Sequence, residues 1–143
     1  YIYIQTHRFG DRIRYQARVQ EACRKVLIPS MTLQPLVENA IIHGIENLEF
    51  GGEIIVDIRA RKDAVRIRIC DNGVGITRER LGEIREGRSG KRTGHTTGIG
   101  VSNITTRISL YPGGSLRLYS SPRYGTIVEI LFPVEAAGLA EAE

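Results

Sequence analysis

The sequence predicts an α+β fold, a layer of helices on one face of a mixed, mainly antiparallel sheet. Three observations carry this. Five segments place apolar residues at period two, as strands with one wet face do. Two segments between them repeat apolar residues at three- and four-residue spacing, as amphipathic helices do. Two of the strand-like runs are separated only by Lys62-Asp63, which makes a hairpin.

In chain order, Tyr1–Phe9 reads as the end of a helix that begins upstream, broken by Gly10. Asp11–Val19 then alternates, with Ile13, Tyr15, Ala17 and Val19 against Arg12, Arg14, Gln16 and Arg18. Pro29 closes the apolar run Val26-Leu27-Ile28. Thr32 is a fair N-cap and Pro35 is tolerated in a first turn, so Leu33, Leu36, Val37, Ala40, Ile41 and Gly44 define a helix from Leu33 to about Ile45. Gly51-Gly52 turns the chain into the hairpin Glu53–Arg61 and Ala64–Cys70. Thr77–Thr97 reads as a long mobile loop with a short helix near Leu81–Arg85, and loops of that length in compact domains are usually functional. Gly98–Leu110 is a second amphipathic helix, ended by Tyr111-Pro112-Gly113-Gly114. Ser115–Ser121 and Thr126–Phe132 are strands around the turn Pro122–Gly125. The expected division is 1–10 as the end of a linking helix, 11–134 as one domain and 135–143 as a flexible tail.

Composition narrows the class. A chain of 143 residues fits one domain and can bury a core without disulfides or metals. Hydrophobic residues make up 41% and charged residues 25%, which excludes disorder over most of the length. The net charge of +4 raises nucleic acid as a partner, yet the cations are spread along the chain and only three Phe, six Tyr and no Trp could stack on bases. The reading is no nucleic acid, and a mild positive field serving an anionic small molecule. Cys23 and Cys70 form no C-x-x-C pair, and His7, His43 and His95 are scattered, so a Cys/His metal site is not expected. Reduced thiols are the default; a Cys23–Cys70 disulfide stays open, and Cys70 reads as a small buried hydrophobe. No run of about 18 apolar residues could span a bilayer. The start at Tyr1, within a pattern, reads as a fragment of something longer.

Four stretches carry chemistry, each with a plainer alternative. In Glu38-Asn39-Ala40-Ile41-Ile42-His43-Gly44, Asn39 and His43 share a helix face. An amide in that apolar neighbourhood needs partners, and its oxygen is a hard ligand suited to Mg²⁺; alternatively it is polar decoration at a helix edge. Asp71-Asn72-Gly73-Val74-Gly75-Ile76 follows a strand. There a carboxylate could accept from an exocyclic amine such as that of adenine while the glycines admit a flat ligand; alternatively it is a turn closed by an Asx bond. Gly98-Ile99-Gly100-Val101 enters a helix whose free N–H groups suit anions, with Arg88, Lys91 and Arg92 just before it. Gly125-Thr126 opens the last strand, where Thr has high strand propensity in any case.

Taken in this order, the four stretches resemble the N, G1 and G2 boxes of the GHKL superfamily of gyrase-type ATPases, Hsp90, MutL and histidine kinases. The likeness runs from Tyr1 to about Pro133. Leu33-Gln34-Pro35-Leu36-Val37-Glu38-Asn39-Ala40-Ile41 with His43-Gly44 is similar to the LytS-type sensor kinases, and Tyr1-Ile2-Tyr3-Ile4-Gln5 with Arg8-Phe9 resembles their link to the dimerisation helices. The resemblance implies the two-layer α/β sandwich of these ATPases (the Bergerat-type ATP-binding fold) and an ATP-binding catalytic domain over 11–134. It implies that Asn39 holds Mg²⁺ against the triphosphate of ATP and that His43 contacts nucleotide. It further implies that Asp71 reads the adenine amine, that Gly73, Gly75 and Ile76 shape the purine pocket, and that Gly98, Ile99, Gly100 and Val101 let a cover fold over the phosphates. Thr126 falls beside adenine.

Two departures bear on mechanism. Ile42 stands where many relatives carry a Lys, so Lys91 or Arg92 would have to supply phosphate charge. Pro35 stands where hydrolysing members carry the Glu that activates water. Glu38 points about 100° away from Asn39 around the helix, and it either assists Mg²⁺ or a water, or is structural. Pro35 thus favours phosphoryl transfer to a protein over hydrolysis. The expected function is the catalytic domain of a two-component sensor histidine kinase. Its acceptor histidine would lie on dimerisation helices upstream of this chain. The expected partners are those helices, a cognate response regulator and a second copy in the full-length protein. The parent protein is expected in the bacterial inner membrane with this domain in the cytoplasm. Rival readings are an ATPase clamp of the chaperone or mismatch-repair kind, a non-catalytic nucleotide-sensing module, and the anti-sigma serine kinase branch.

Overall fold

The computed structural model describes residues 10–46, 48, 49, 51–86 and 97–133. Its strands are β1 (Ile13–Val19), β2 (Gly52–Arg61), β3 (Ala64–Asp71), β4 (Ser115–Ser121) and β5 (Gly125–Pro133). Its helices are α1 (Leu33–Asn39, continued as a π-helical turn over Ala40–Ile45), α2 (Arg78–Arg85) and α3 (Thr97–Ser109). The sheet order is β1-β2-β3-β5-β4. β1 runs parallel to β2, and every other neighbouring pair is antiparallel. A parallel pair needs a crossover, and α1 lies within the one between β1 and β2. The expected hairpin closes with Arg61 opposite Ala64.

Register decides which face is dry. Val56, Ile69, Val128 and Leu118 lie across one row, and Ile58, Ile67, Ile130 and Leu116 across the next. Leu36, Val37, Ala40, Ile41 and Ile45 of α1, Leu81 and Ile84 of α2, and Val101, Ile104 and Ile108 of α3 are buried in the same core. Phe132 is fully buried and packs on Tyr111 with ring centroids 4.8 Å apart. The opposite face carries a row of alternating charge, Arg18, Asp57, Arg68, Glu129 and Arg117. Arg68 Nε donates to Glu129 Oε2 at 2.7 Å, and Glu129 is buried on this face. Long arginine stems shield such carboxylates while their heads stay wet.

The fold class is as expected, and three local expectations are corrected. Thr32 does not cap α1: its own backbone is already helical and its hydroxyl donates to Pro29 O at 2.7 Å. A cap side chain accepts from the second or third helical N–H, and Pro35 at the third has none. The short helix begins at Arg78 rather than Leu81, because the Thr77 hydroxyl accepts from Arg80 N–H at 3.3 Å and starts it. Cys70 is half-buried on the open face rather than in the core, since Ile67 and Ile69 take the inward parity. Both cysteines are free thiols. Residues 1–9, 87–96 and 134–143, with His7, Lys91, Arg92, His95, the second half of the expected mobile loop, nearly all of the expected linking helix and the whole expected tail, lie outside the described residues. Among the described residues no helix is long and apolar enough to cross a membrane.

Phe132→Ala removes the largest fully buried side chain and is expected to cost about 3–5 kcal/mol. Urea denaturation should show the midpoint falling with little change in slope.

Candidate functional site

The site grows from one irregularity in α1. Its last turn is π-helical, with Glu46 N–H reaching Ile41 O at 2.8 Å. Wider turns of this kind gather at functional sites. At this helix end the Gly44 carbonyl is left to accept the N–H of Val74 at 2.9 Å, so the turn that follows β3 hangs on the helix backbone. Gly73 presses on the backbone of Gly44, and a Cβ on Gly73 would collide with it. A Cβ on Gly44 would meet Asp71 Oδ1 at 2.8 Å. Two glycines therefore set the carboxylate of Asp71 directly against a helix.

The strand end fixes that carboxylate further. Asp71 Oδ1 accepts from Gly73 N–H at 2.9 Å, an Asx bond. The plainer reading of this turn is thus true as well and serves the carboxylate. Asn72 is spent on structure: its Oδ1 accepts from Glu53 N–H at 2.7 Å and its Nδ2 donates to Gly51 O at 2.8 Å. Burial pushes the Asp71 carboxyl up to about 6, against the pull of the Gly73 and Thr126 backbone bonds. A half-buried carboxylate at the end of a strand keeps acceptor capacity for a further donor.

A cavity opens beside it. Its polar wall holds Asn39, His43, Asp71 and Thr126, and its apolar wall includes Leu36, Ile69, Ile84, Val101, Leu118 and Val128. Asn39 keeps a buried Nδ2 without a hydrogen-bond partner, an expensive condition unless a ligand supplies one. Gly44, Gly75 and Ile76 also line the space. Asp71 and Thr126 are register partners on β3 and β5, which brings the carboxylate and the hydroxyl side by side. The described lining contains no Lys or Arg. This part of the site suits a planar base with an amino group better than a naked polyphosphate.

Of the residues singled out in the sequence, Asn39, His43, Asp71, Gly75, Ile76, Val101 and Thr126 meet at this cavity. Gly73 supports it from behind. Gly98, Ile99 and Gly100 lie in the first turn of α3. Glu38 does not line the cavity; its Oε1 accepts from Gln34 Nε2 at 3.0 Å. Sequence reasoning passed over two residues. Gly44 reads as one position of the helix's apolar stripe and the end of the first motif stretch, with no role of its own, although an isolated glycine inside a helical pattern usually has a packing reason. Ser120 read as an ordinary strand residue, yet its hydroxyl touches Ile76, Gly125 and Thr126. Among the described residues no group of three or more His, Cys, Asp or Glu could hold a metal by itself.

Residues 28–136 match the family model for histidine kinase-, DNA gyrase B- and HSP90-like ATPases. The chain belongs to this ATPase family. Among similar proteins, the sensor histidine kinase YesM of Bacillus subtilis is 36% identical over 135 residues, covering 93% of this chain and 22% of that protein. The sensor protein LytS of Staphylococcus epidermidis is 30% identical over 138 residues, covering 96% and 23% respectively. The chain thus spans less than a quarter of the length of these curated relatives. The solved histidine kinase domain of the blue-light activated kinase from Erythrobacter litoralis shares the fold, with a TM-score of 0.64 at 17% identity over 96% of this chain and 63% of that one. The family's ATP-binding fold and the cavity described above therefore coincide in one domain.

Gly44→Ala should displace Asp71 and weaken adenosine nucleotide binding by at least about tenfold, read by calorimetry, with far-UV circular dichroism unchanged. Asp71→Asn should have opposite effects on binding and stability. Its folded value of about 6 lies above the ordinary 3.8, so the stability gained by protonation is present below 3.8 and lost as pH rises through 6. At pH 7.5 the variant should therefore melt higher than wild type, by an amount on the order of 2 kcal/mol. That advantage should shrink toward pH 4, while nucleotide affinity is lost.

Proposed function

We propose that this domain binds Mg²⁺-ATP and transfers the γ-phosphoryl group to a histidine on dimerisation helices outside this chain. In this reading it is the catalytic domain of a two-component sensor histidine kinase. The observation that carries the reading is the polar set gathered at one cavity. A half-buried carboxylate, Asp71, stands beside its register partner Thr126, and an amide with unspent capacity, Asn39 of α1, lines the same cavity. The carboxylate and hydroxyl suit the amino edge of adenine. The amide suits the phosphate end.

Asn39 fits a metal-loaded triphosphate on its own chemistry. Its amide oxygen is a hard donor for Mg²⁺, and its NH₂ can pair with a phosphate oxygen. One protein ligand is sufficient because Mg²⁺ keeps waters and takes most of its oxygens from the phosphates. When bound, the metal neutralises charge that builds on the transferred group. His43 lines the same wall and contacts nucleotide; Gly75 and Ile76 frame the base; Val101 packs against it. The N-terminal turn of α3, with Gly98, Ile99 and Gly100, offers free N–H groups to the phosphates. Lys91 and Arg92, outside the described residues, supply the cations that the described lining lacks.

Pro35 lies one turn before Asn39 and has no side chain able to take a proton from water. Catalysis then rests on positioning and electrostatics, with an imidazole from another segment as the attacking group. Glu38, tethered to Gln34 on α1, assists that metal or a water, or serves α1 alone. The likeness to the sensor histidine kinase YesM and the sensor protein LytS supports the sensor-kinase part of this reading; the proposal extends it to a homodimeric parent in the bacterial inner membrane, with this domain in the cytoplasm and a cognate response regulator.

The test uses a longer form of the protein that includes the upstream helices. Asn39→Ala should lower labelled-phosphate incorporation from Mg²⁺-ATP by at least about 100-fold. Retention of transfer by this variant would refute the role of Asn39. Steady ATP hydrolysis without phosphoprotein would instead favour the ATPase-clamp reading. Glu38→Gln should change the transfer rate only if the carboxylate assists the metal or a water rather than serving α1 alone.

A further inference from the structure

The hydroxyl of Ser120 sits at a junction of three contacts, and a count of protons there has a consequence for the base. Ile76 N–H donates to Ser120 Oγ at 2.8 Å. Ser120 Oγ lies 2.9 Å from the Gly125 carbonyl, which can only accept. Thr126 Oγ1 lies 2.8 Å from the same oxygen. A hydroxyl has one hydrogen and two lone pairs. The arrangement that satisfies all three contacts sends the Ser120 hydrogen to Gly125, so its lone pairs take Ile76 N–H and the Thr126 hydroxyl. The Thr126 hydrogen is then committed to Ser120, and Thr126 faces the cavity with lone pairs only.

We infer that Ser120 is a specificity-determining positioning residue: it fixes Thr126 as an acceptor beside the acceptor Asp71, so that the pocket takes a 6-amino purine and rejects a 6-oxo purine. The inference rests on the nucleotide-binding reading above and adds to it the source of base discrimination. Asp71 and Thr126 are register partners and both line the cavity, while Ser120 does not. Two acceptors side by side match an amino group that donates. Against a 6-oxo purine they set oxygen lone pairs against a carbonyl, and leaving buried polar groups unpaired is what makes such sites selective. Without the Ser120 hydroxyl, the Thr126 hydroxyl is free to turn its hydrogen into the cavity and donate to a carbonyl. Ile76, which frames the same wall, also loses the acceptor for its N–H.

The experiment compares adenosine and inosine triphosphates, each with Mg²⁺, by calorimetry on this domain. Ser120→Ala should lower the adenosine-to-inosine affinity ratio by about tenfold, while Ser120→Thr, which keeps a hydroxyl, should hold it near the wild-type value. In a Thr126→Val background the ratio should already be low, and adding Ser120→Ala should change it less than about twofold. A role for Ser120 in folding alone would lower both affinities together and leave the ratio in place, which would overturn the inference. So would a Ser120→Ala effect that persists in full on Thr126→Val. If Ser120→Ala does not fold, Thr126→Val decides alone: an unchanged ratio overturns the inference. Failure of wild type to bind either nucleotide is a separate result, and it removes the nucleotide-binding reading and this inference together.

Discussion

The site depends on a backbone-to-backbone contact. The turn after β3 rests on Gly44 of α1, with Val74 N–H on the Gly44 carbonyl at 2.9 Å and Gly73 against the same residue. No side chain mediates this approach, so nothing soft can adjust to it. Asp71 is carried by the strand that leads into the turn, Asn39 by the helix that receives it. Gly44 lies in the last, π-helical turn of α1, where the helix end leaves its carbonyl available. The placement of the Asp71 strand end against the Asn39 helix is in this way set by main chain, the stiffest material the protein has.

That stiffness is used to hold groups that would rather be elsewhere. A carboxylate displaced upward to about 6 is less stable charged here than in water. A buried amide nitrogen without a partner on Asn39 adds a second unfavourable feature. Both lie above a sheet whose inner rows, from Val56 across to Leu118 and from Ile58 across to Leu116, are almost wholly apolar. Burial of those rows offsets the cost of the polar wall. The charge ladder on the opposite face contributes less, because its pairs are partly wet. The division of labour is between a dry layer that stabilises the domain and an edge of that layer that is left unsatisfied for a ligand.

Much of this was legible beforehand because period-two and period-3.6 patterns are physical consequences of a one-sided core. Ile54, Val56, Val65, Ile67 and Ile69 announced the hairpin, and Leu36, Val37, Ala40 and Ile41 the buried stripe of α1. Asn39, Asp71 and Thr126 were visible as polar residues beside apolar runs. Hidden from periodicity were effects that depend on what stands opposite in space. Cys70 falls on the outward parity set by Val65, Ile67 and Ile69, so only its apolar character points it toward the core, and the alternation overrides that. Thr32 was misread because Pro35 removes the donor that a cap would use. Gly44 and Ser120 matter through contacts that periodicity does not show: Gly44 of α1 against Asp71 of β3, and Ser120 of β4 against Thr126 across the hairpin and against Ile76, 44 residues away in the chain.

The most direct measurement is the titration of the Asp71 carboxyl, followed by carbon-13 NMR in the free domain and again with saturating Mg²⁺ and adenosine nucleotide. A midpoint near 6 without ligand, displaced downward when the amine of the base donates to the carboxylate, is the expected result. A midpoint in the ordinary aspartate range that ignores the nucleotide would contradict both the raised carboxyl value and its role in reading adenine.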